Sequence, residues 1–478
     1  MPEQQPGISK ETELMRIASA RGIFFPTAEI FSGGIGGLWD YGPIGLRIFN
    51  NYVSEWRRLL DEVGAYEISG SVLLPRKVLQ ASGHEANFFD PMVTCRKCGS
   101  TYRIDKLLEE ADRSGNFEGM SMEEYSSLAV KHGLKCERCG TAFGSAEKFS
   151  LMLSTKIGIA AETNAYLRPE ACQSIYLDFK RILDTYSGRK LPLIIAQIGK
   201  AFRNEISPRN NLLRQREFYQ HDMEVFFMSD DDYILKPEED IEIGVMDHEN
   251  PGAERVSIRK AMELGIIESS ITAYWTSKWI RFMEGVGFAP ESIRIKKLRG
   301  KEKPFYAKEA FDLEVNRDGA WVEITGIHHR NDYDMSQYLK FGADVPKVGG
   351  RVPNVFEISA GADRIFYLLL YTSLQSDSKR HWLSLNEKIA PYRYAVFPLQ
   401  RDEKLAEMAR KVYSGLVAKG VQCYYADTGG IGKMYAKADE IGVQMCITVD
   451  YQGLEDGTVT VRDRDTTKQR RVAVGELA

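Results

Sequence analysis

Two distant stretches place the tightest limits on how this 478-residue chain can fold. The first is Ala201-Phe202-Arg203-Asn204-Glu205 with Arg214-Gln215-Arg216-Glu217-Phe218, two extended segments joined by a polar loop. The second, Glu357-Ile358-Ser359-Ala360-Gly361-Ala362-Asp363-Arg364, reads as a strand that runs through a glycine turn into a helix. Side chains alternate along a strand, so Arg203 and Glu205 project to one side, and Arg216, Phe218, Gln220, Asp222 and Glu224 share one face of the return strand. Glu357 and Ser359 point the same way, and Arg364 falls in the helix's first turn with Asp363 as its cap or salt-bridge partner. Guanidinium groups offer a planar fork for phosphate, a phenyl ring offers a flat plate for a base, and acids accept from amino groups. The combination suits a nucleoside triphosphate held beside a small charged substrate; the competing reading is a solvated hairpin whose charges pair with each other. Glu323, on a strand face with Trp321 and Thr325, suits a Mg²⁺ bridging phosphates or a neighbouring arginine.

Four of the seven cysteines form two matching pairs, Cys95-Arg96-Lys97-Cys98-Gly99 and Cys136-Glu137-Arg138-Cys139-Gly140. The two-residue spacer lets both thiolates of a pair reach one ion, and each glycine permits the tight turn that follows. In a reducing compartment this pattern reads as a tetrahedral structural zinc site, with a disulfide pair as the alternative. Cys172, Cys423 and Cys446 stand alone in apolar settings and read as reduced core residues. The net charge of -4 excludes a uniformly basic nucleic-acid coat but not a local basic surface. No apolar run approaches a membrane span, and Met1 to Lys10 lacks a signal-peptide core, so a cytoplasmic protein is expected.

Periodicity predicts helices over 11–20 and 43–61, the latter with Leu46, Phe49, Val53, Trp56 and Leu60 on one face. A strand is expected from Ala65 to Leu74. The glycine-rich Gly33 to Gly37 lacks the strand, Lys and Ser/Thr of a phosphate cradle and reads as an entry turn. Residues 230–303 read as a charged helical insertion, with strands returning at 311–315 and 321–326 and an apolar helix at 365–372. After Pro391 short αβ units follow one another, which marks a separate domain. The expected division is 1–90, a cysteine-bearing insertion at 91–147, a core at 148–390 and a last domain at 391–478.

The ordered set Gly37-Leu38-Trp39-Asp40-Tyr41-Gly42-Pro43, Ser82-Gly83-His84-Glu85, Leu167-Arg168-Pro169-Glu170, Phe202-Arg203-Asn204-Glu205-Ile206, Arg216-Glu217-Phe218, Asn331-Asp332-Tyr333-Asp334, Ala362-Asp363-Arg364 and Ile431-Gly432-Lys433 through Ile447-Thr448-Val449-Asp450 resembles the class II aminoacyl-tRNA synthetases, specifically the homodimeric glycyl family. The resemblance implies an α+β fold: an antiparallel sheet flanked by helices, a zinc-knuckle insertion and a C-terminal α/β anticodon-binding domain. It implies ATP-dependent attachment of glycine to tRNA(Gly) through an adenylate, with Mg²⁺ and structural Zn²⁺ (at Cys95, Cys98, Cys136 and Cys139). Helix 43–61 and the segment to Pro75 resemble motif 1, which implies a homodimer. By the same resemblance Arg203 meets the α-phosphate, Glu205 the adenine amino group, Phe218 the adenine face, Arg364 the γ-phosphate and Glu323 the magnesium. The ATP surface would extend over Asn204, Leu213, Arg214, Gln215, Arg216, Glu217, Ile324, Gly361, Ala362 and Asp363. The glycine pocket would take in Arg103, Glu170, Phe218, Tyr219, Gln220, His221, Asp222, Glu357, Ile358, Ser359, Ala360 and Gly361.

Several positions depart from the family pattern. Ala171, Cys172, Gln173 and Ser174 stand where Thr-Ala-Gln-Gly is usual, Asp222 replaces a glutamate, His328 an alanine and Ile358 a proline. These bear on amino-acid specificity and keep open a ligase for another small amino acid, or a paralogue without ligase activity. His328, His329 and Glu323 could form a metal site, or the histidines could pack or face solvent. Arg209 and Arg214 flank the loop where a tRNA acceptor end would lie; Arg462, Arg464, Lys468, Arg470 and Arg471, and the run Lys296 to Lys303, are further basic clusters that fit tRNA or a solvated face.

Overall fold

The computed structural model describes residues 9–31, 35–112, 115, 117, 119–158, 163–206, 208, 210–251, 254–300 and 302–477. Gly33, Gly34, Arg209 and Lys301 therefore lie outside the described residues.

Among the described residues, one nine-stranded sheet organises the α+β core. Its strands run, edge to edge, Arg255–Ser257, Glu242–Met246, Ile293–Lys297, Glu309–Arg317, Ala320–Asn331, Asn354–Gly361, Glu217–Phe227, Leu193–Phe202 and Tyr66–Glu67. Neighbours are antiparallel except Glu242–Met246 beside Ile293–Lys297 and Leu193–Phe202 beside Tyr66–Glu67. Helix Pro43–Val63 starts with proline in its first turn and stops at Gly64, whose φ of 69° is the left-handed cap glycine tolerates best. It buries Phe49, Tyr52, Val53, Trp56 and Leu60 on one sheet face, while Leu46 remains half-exposed. Helix Ser270–Val286 lays Trp275, Trp279 and Met283 into the same core.

The opposite sheet face is covered at one end by helix Cys172–Thr185, where Phe179 stacks on Phe226 with ring centroids 4.1 Å apart.

Two expectations need correction. The strand expected over 65–74 is broken into Tyr66–Glu67 and Leu73–Pro75. Between them Gly70 approaches Ser174 so closely that a Cβ would lie 2.1 Å from the serine Cβ, and its N–H is taken by Gln197 Oε1 at 2.9 Å instead of by a strand. Residues 230–303 are not a helical insertion alone. Their alternating apolar residues, such as Ile293 and Ile295, supply three strands that extend the central sheet.

Residues 394–473 form a second sheet in the order Cys423–Tyr425, Tyr394–Pro398, Met445–Val449, Thr458–Asp463 and Gln469–Ala473. Helix Glu403–Ala418, capped by Asp402, packs on one face and helix Ile431–Glu440 on the other. Arg16 of helix Lys10–Arg21 reaches Glu440 Oε1 at 3.0 Å, and Arg21 also contacts that carboxylate, which joins the two sheets' domains.

Candidate active site and metal centre

Register across the central sheet builds the site floor. One row runs Asp312, Gly326, Ser359, Asp222 and Gln197; the next runs Ala310, His328, Glu357, Glu224 and Ile195. Above these rows lies a cavity of about 370 Å³ whose walls include His84, Phe88, Glu170, Leu213, Arg214, Gln215 and Tyr306.

At one end Arg203 and Arg364 converge. Arg203 carries its guanidinium over Phe218 at 5.4 Å and Phe88 at 5.2 Å, with Nη2 3.4 Å from Glu170 Oε1. Arg364 donates to the Leu213 carbonyl at 3.1 Å and to the Glu323 carbonyl at 3.3 Å. Asp363 does not pair with Arg364; it accepts from Tyr41 Oη and from the Tyr219 N–H, so it pins the helix start to the neighbouring strand. Burial pushes its carboxyl up to about 6, although these donors pull it back. Glu205 accepts from Arg214 at 2.5 Å.

Two acids, Glu170 and Glu357, also line the cavity. Burial alone would raise the Glu170 carboxyl, but His84 (Nε2 at 3.1 Å), Arg203 and Arg330 overcome it and hold the group well below the usual range. Glu357 behaves alike: burial is outweighed by Arg330 Nη1 at 2.9 Å and His328 Nδ1 at 2.8 Å, and its carboxyl is lowered. Gln220 bridges Ser359 Oγ at 2.7 Å and the Ala171 N–H at 3.2 Å. Asp222 and Glu224 are fully buried in the sheet; Glu224 has no hydrogen-bond partner among the described residues for either carboxyl oxygen, and at Asp222 only Ser359 offsets part of the burial cost. Burial raises both, Asp222 to about 8, and Glu357 directly across the ladder adds to the rise at Glu224.

Several expected residues stay out of the cavity. Arg103 sits in the cysteine-bearing segment, paired with Asp90 and Asp105. His221, Ile358 and Ala360 alternate onto the buried apolar face; His221 is bonded to Tyr52 and burial holds its ring down to about 3. Asp222 stands in the floor row opposite Ser359 but is fully buried and does not line the cavity. Arg216 donates to the Gly36 and Glu205 carbonyls, Glu217 pairs with Lys200, Asn204 is tied by its N–H to Leu151, and Ala362 is buried. Leu213, Arg214, Gln215, Phe218, Tyr219, Gln220, Glu323, Ile324 and Gly361 line the cavity. Sequence reasoning missed Asp312 and Arg330. The second was within reach, because Gly326, His328 and Arg330 alternate along one strand. Asp312 needs the register opposite Gly326; burial and then Glu323 push its carboxyl up to about 7.

The histidine pair divides: His328 faces Glu357, and His329 Nε2 meets Asp230 on the other face at 3.0 Å, so they form no joint metal site with Glu323. The basic clusters are also mostly spent. Arg462 is buried against Asp439, Arg464 donates to the Gly442 and Leu385 carbonyls, Lys297 is buried on Glu268, and Arg299 pairs with Asp247; Lys468 and Arg470 are exposed.

The four sulfurs of Cys95, Cys98, Cys136 and Cys139 lie within 4.8 Å of one another, with cross-pair separations of 3.4 and 3.5 Å. A tetrahedral ion with Zn–S bonds of about 2.3 Å needs sulfurs about 3.8 Å apart, so the donor set fits such an ion and not a disulfide. Gly99 and Gly140 both take φ 70°, and each donates its N–H to the first cysteine carbonyl of its pair, at 2.9 and 2.8 Å.

The model for the tRNA synthetase class II core domain (G, H, P, S and T) matches residues 156–370, and the model for the anticodon binding domain matches 393–478. Fold and site together thus define a class II aminoacyl-tRNA synthetase. Over 97% of its length the chain is 34% identical to the glycine–tRNA ligase of Aeropyrum pernix and 33% identical to that of Methanocaldococcus jannaschii, covering 95% and 97% of those proteins. It is 35% identical to the glycine–tRNA ligase of Clostridium tetani, covering 97% of this chain and 96% of that one. The chain belongs to the glycine–tRNA ligase family. A Giardia lamblia prolyl-tRNA synthetase in complex with prolyl-adenylate shares the fold, with a TM-score of 0.62 at 16% identity over 98% of this chain and 75% of that one.

Proposed function

We propose that the protein activates glycine with ATP and transfers it to tRNA(Gly). The observation that carries this reading is a single cavity lined by Arg203, Arg364, Glu170 and Glu357, with Glu170 Oε1 3.4 Å from Arg203 Nη2. The ATP would fold between the two guanidinium groups, with adenine against Phe218 and its amino group toward Glu205. The glycine ammonium would lie between Glu170 and Glu357, both held ionised by their neighbours. Its carboxylate then attacks the α-phosphorus in line, and pyrophosphate leaves. No side chain acts as nucleophile; positioning and fixed positive charge lower the barrier. Glu323 and Asp312, which both line the cavity, would hold Mg²⁺, which would neutralise phosphate charge.

Steric exclusion supports glycine over larger amino acids. The His328 ring stands over Gly326, where a Cβ would come within 2.9 Å of it, and Gln220 closes the floor beside Ser359. The four cysteines would carry a structural zinc, since four thiolates leave no open position for water. A homodimer is supported by the sheet edge at Tyr66–Glu67, where the exposed Tyr66 and Tyr186 rings pack 5.5 Å apart. No helix among the described residues is long and apolar enough to cross a membrane. Charging of a tRNA pool with labelled glycine, alanine and serine tests the substrate: glycine alone is expected on acid-precipitable tRNA(Gly), and serine or alanine there without glycine contradicts the reading.

A further inference from the structure

We propose that Phe305 is the stacking platform for the 3′-terminal adenine of the tRNA, an assignment that rests on the ligase reading above. This phenyl ring is 77% exposed at the rim of the cavity. It is held by edge contacts with Tyr306 and Tyr333, at centroid distances of 5.4 and 5.3 Å. Tyr306 in turn stacks on Tyr333 at 5.7 Å and receives the Arg330 guanidinium over its ring at 4.1 Å. Arg330 bonds Glu357, so the exposed ring is tied to a carboxylate assigned above to the glycine ammonium.

That position matters in the second half-reaction. There a ribose hydroxyl of the terminal nucleotide attacks the glycyl carbonyl; the ester carbon–oxygen bond forms, the bond from the carbonyl carbon to the adenylate phosphate oxygen breaks, and AMP departs with the hydroxyl proton passed to its phosphate. The nucleotide has to enter at the glycine end, and its unpaired base needs a seat within reach of that ribose. Single-stranded bases are taken up on aromatic faces, which accept any π surface without sequence readout. Lys303 is bonded to the backbone carbonyl of Lys308 at 3.1 Å, which leaves its charge available to the adjoining phosphate. A lid over bound glycine is the other role open to a rim aromatic ring, and the two differ in the half-reaction they touch.

The experiment compares wild type, Phe305→Ala and Phe305→Trp in glycine-dependent pyrophosphate exchange without tRNA and in single-turnover transfer from the adenylate to tRNA(Gly). The tRNA is used with its natural end and with an abasic terminal nucleotide. Loss of one base stack predicts about tenfold slower transfer or weaker tRNA binding for Phe305→Ala. Exchange is expected to stay within about twofold, Trp to retain transfer, and the abasic tRNA to erase the difference between variants, as for one coupled pair. Transfer unchanged in Phe305→Ala, exchange and transfer slowed alike, or an undiminished defect on the abasic tRNA each overturn the platform. Absence of glycine-dependent exchange in the wild type would instead sink the ligase reading itself.

Discussion

At Asp222 burial decides the chemistry. The unfolded chain releases this proton near the ordinary value of about 3.9, whereas the native state keeps it until about 8. Across that window the native state holds one proton more, so stability falls as pH rises. Asp222→Asn removes that slope. Its Tm relative to wild type should therefore climb by about 2–5 °C between about pH 5 and about pH 8 in calorimetry, and parallel curves would contradict the assignment. Phe218→Ala should raise the KM for ATP about tenfold, the equivalent of one lost base–aromatic stack of about 1–3 kcal/mol, with little change in the KM for glycine. Face assignments were legible in the sequence where strand alternation carries them: Phe218, Gln220, Glu357 and Ser359 share one face as the period of two requires. Arg216 was misplaced because its carbonyl partners, Gly36 and Glu205, come from loops that no periodicity reveals. Asp312 was invisible because its place depends on pairing between strands.

Among elements, helices with a continuous apolar stripe could be read to within a few residues, and segments shaped by close approach could not. The break at Gly70 reflects its close approach to Ser174, and the strands within 230–303 join the sheet by pairing with Glu309–Arg317, a partner that local periodicity does not name. Close approach also governs helix Pro43–Val63. A Cβ on Gly45 would lie 1.9 Å from the Ile23 carbonyl oxygen, so Gly45→Ala should lower stability by about 1–3 kcal/mol in chemical denaturation; an unchanged midpoint contradicts that packing. The cysteine knuckles give a separate forecast. Elemental analysis should find one zinc per chain, and Cys136→Ser should lose it and expose 91–147 to proteolysis, because its satellite core of Ile104, Leu108 and Tyr125 is small. Full zinc retention in that variant would argue against four-thiolate binding.

On the scale of the whole molecule, the division between a sheet-based core and a terminal αβ unit was legible in the changed rhythm after Pro391, whereas the salt-bridge tie from Arg16 and Arg21 to Glu440 was not. A dimer through the Tyr66 edge predicts twice the 54.1 kDa chain mass in sedimentation, and Tyr66→Arg with Tyr186→Arg should shift it to monomer; a wild-type monomer at micromolar concentration would remove the dimer. The central claim concerns the two guanidinium groups that close on one folded triphosphate. Glycine-dependent exchange of labelled pyrophosphate into ATP, measured for Arg203→Ala and Arg364→Ala beside wild type, tests it most directly. The account predicts that each variant falls by about 10²–10³ while retaining the wild-type Tm. Exchange at the wild-type rate in either variant would contradict it.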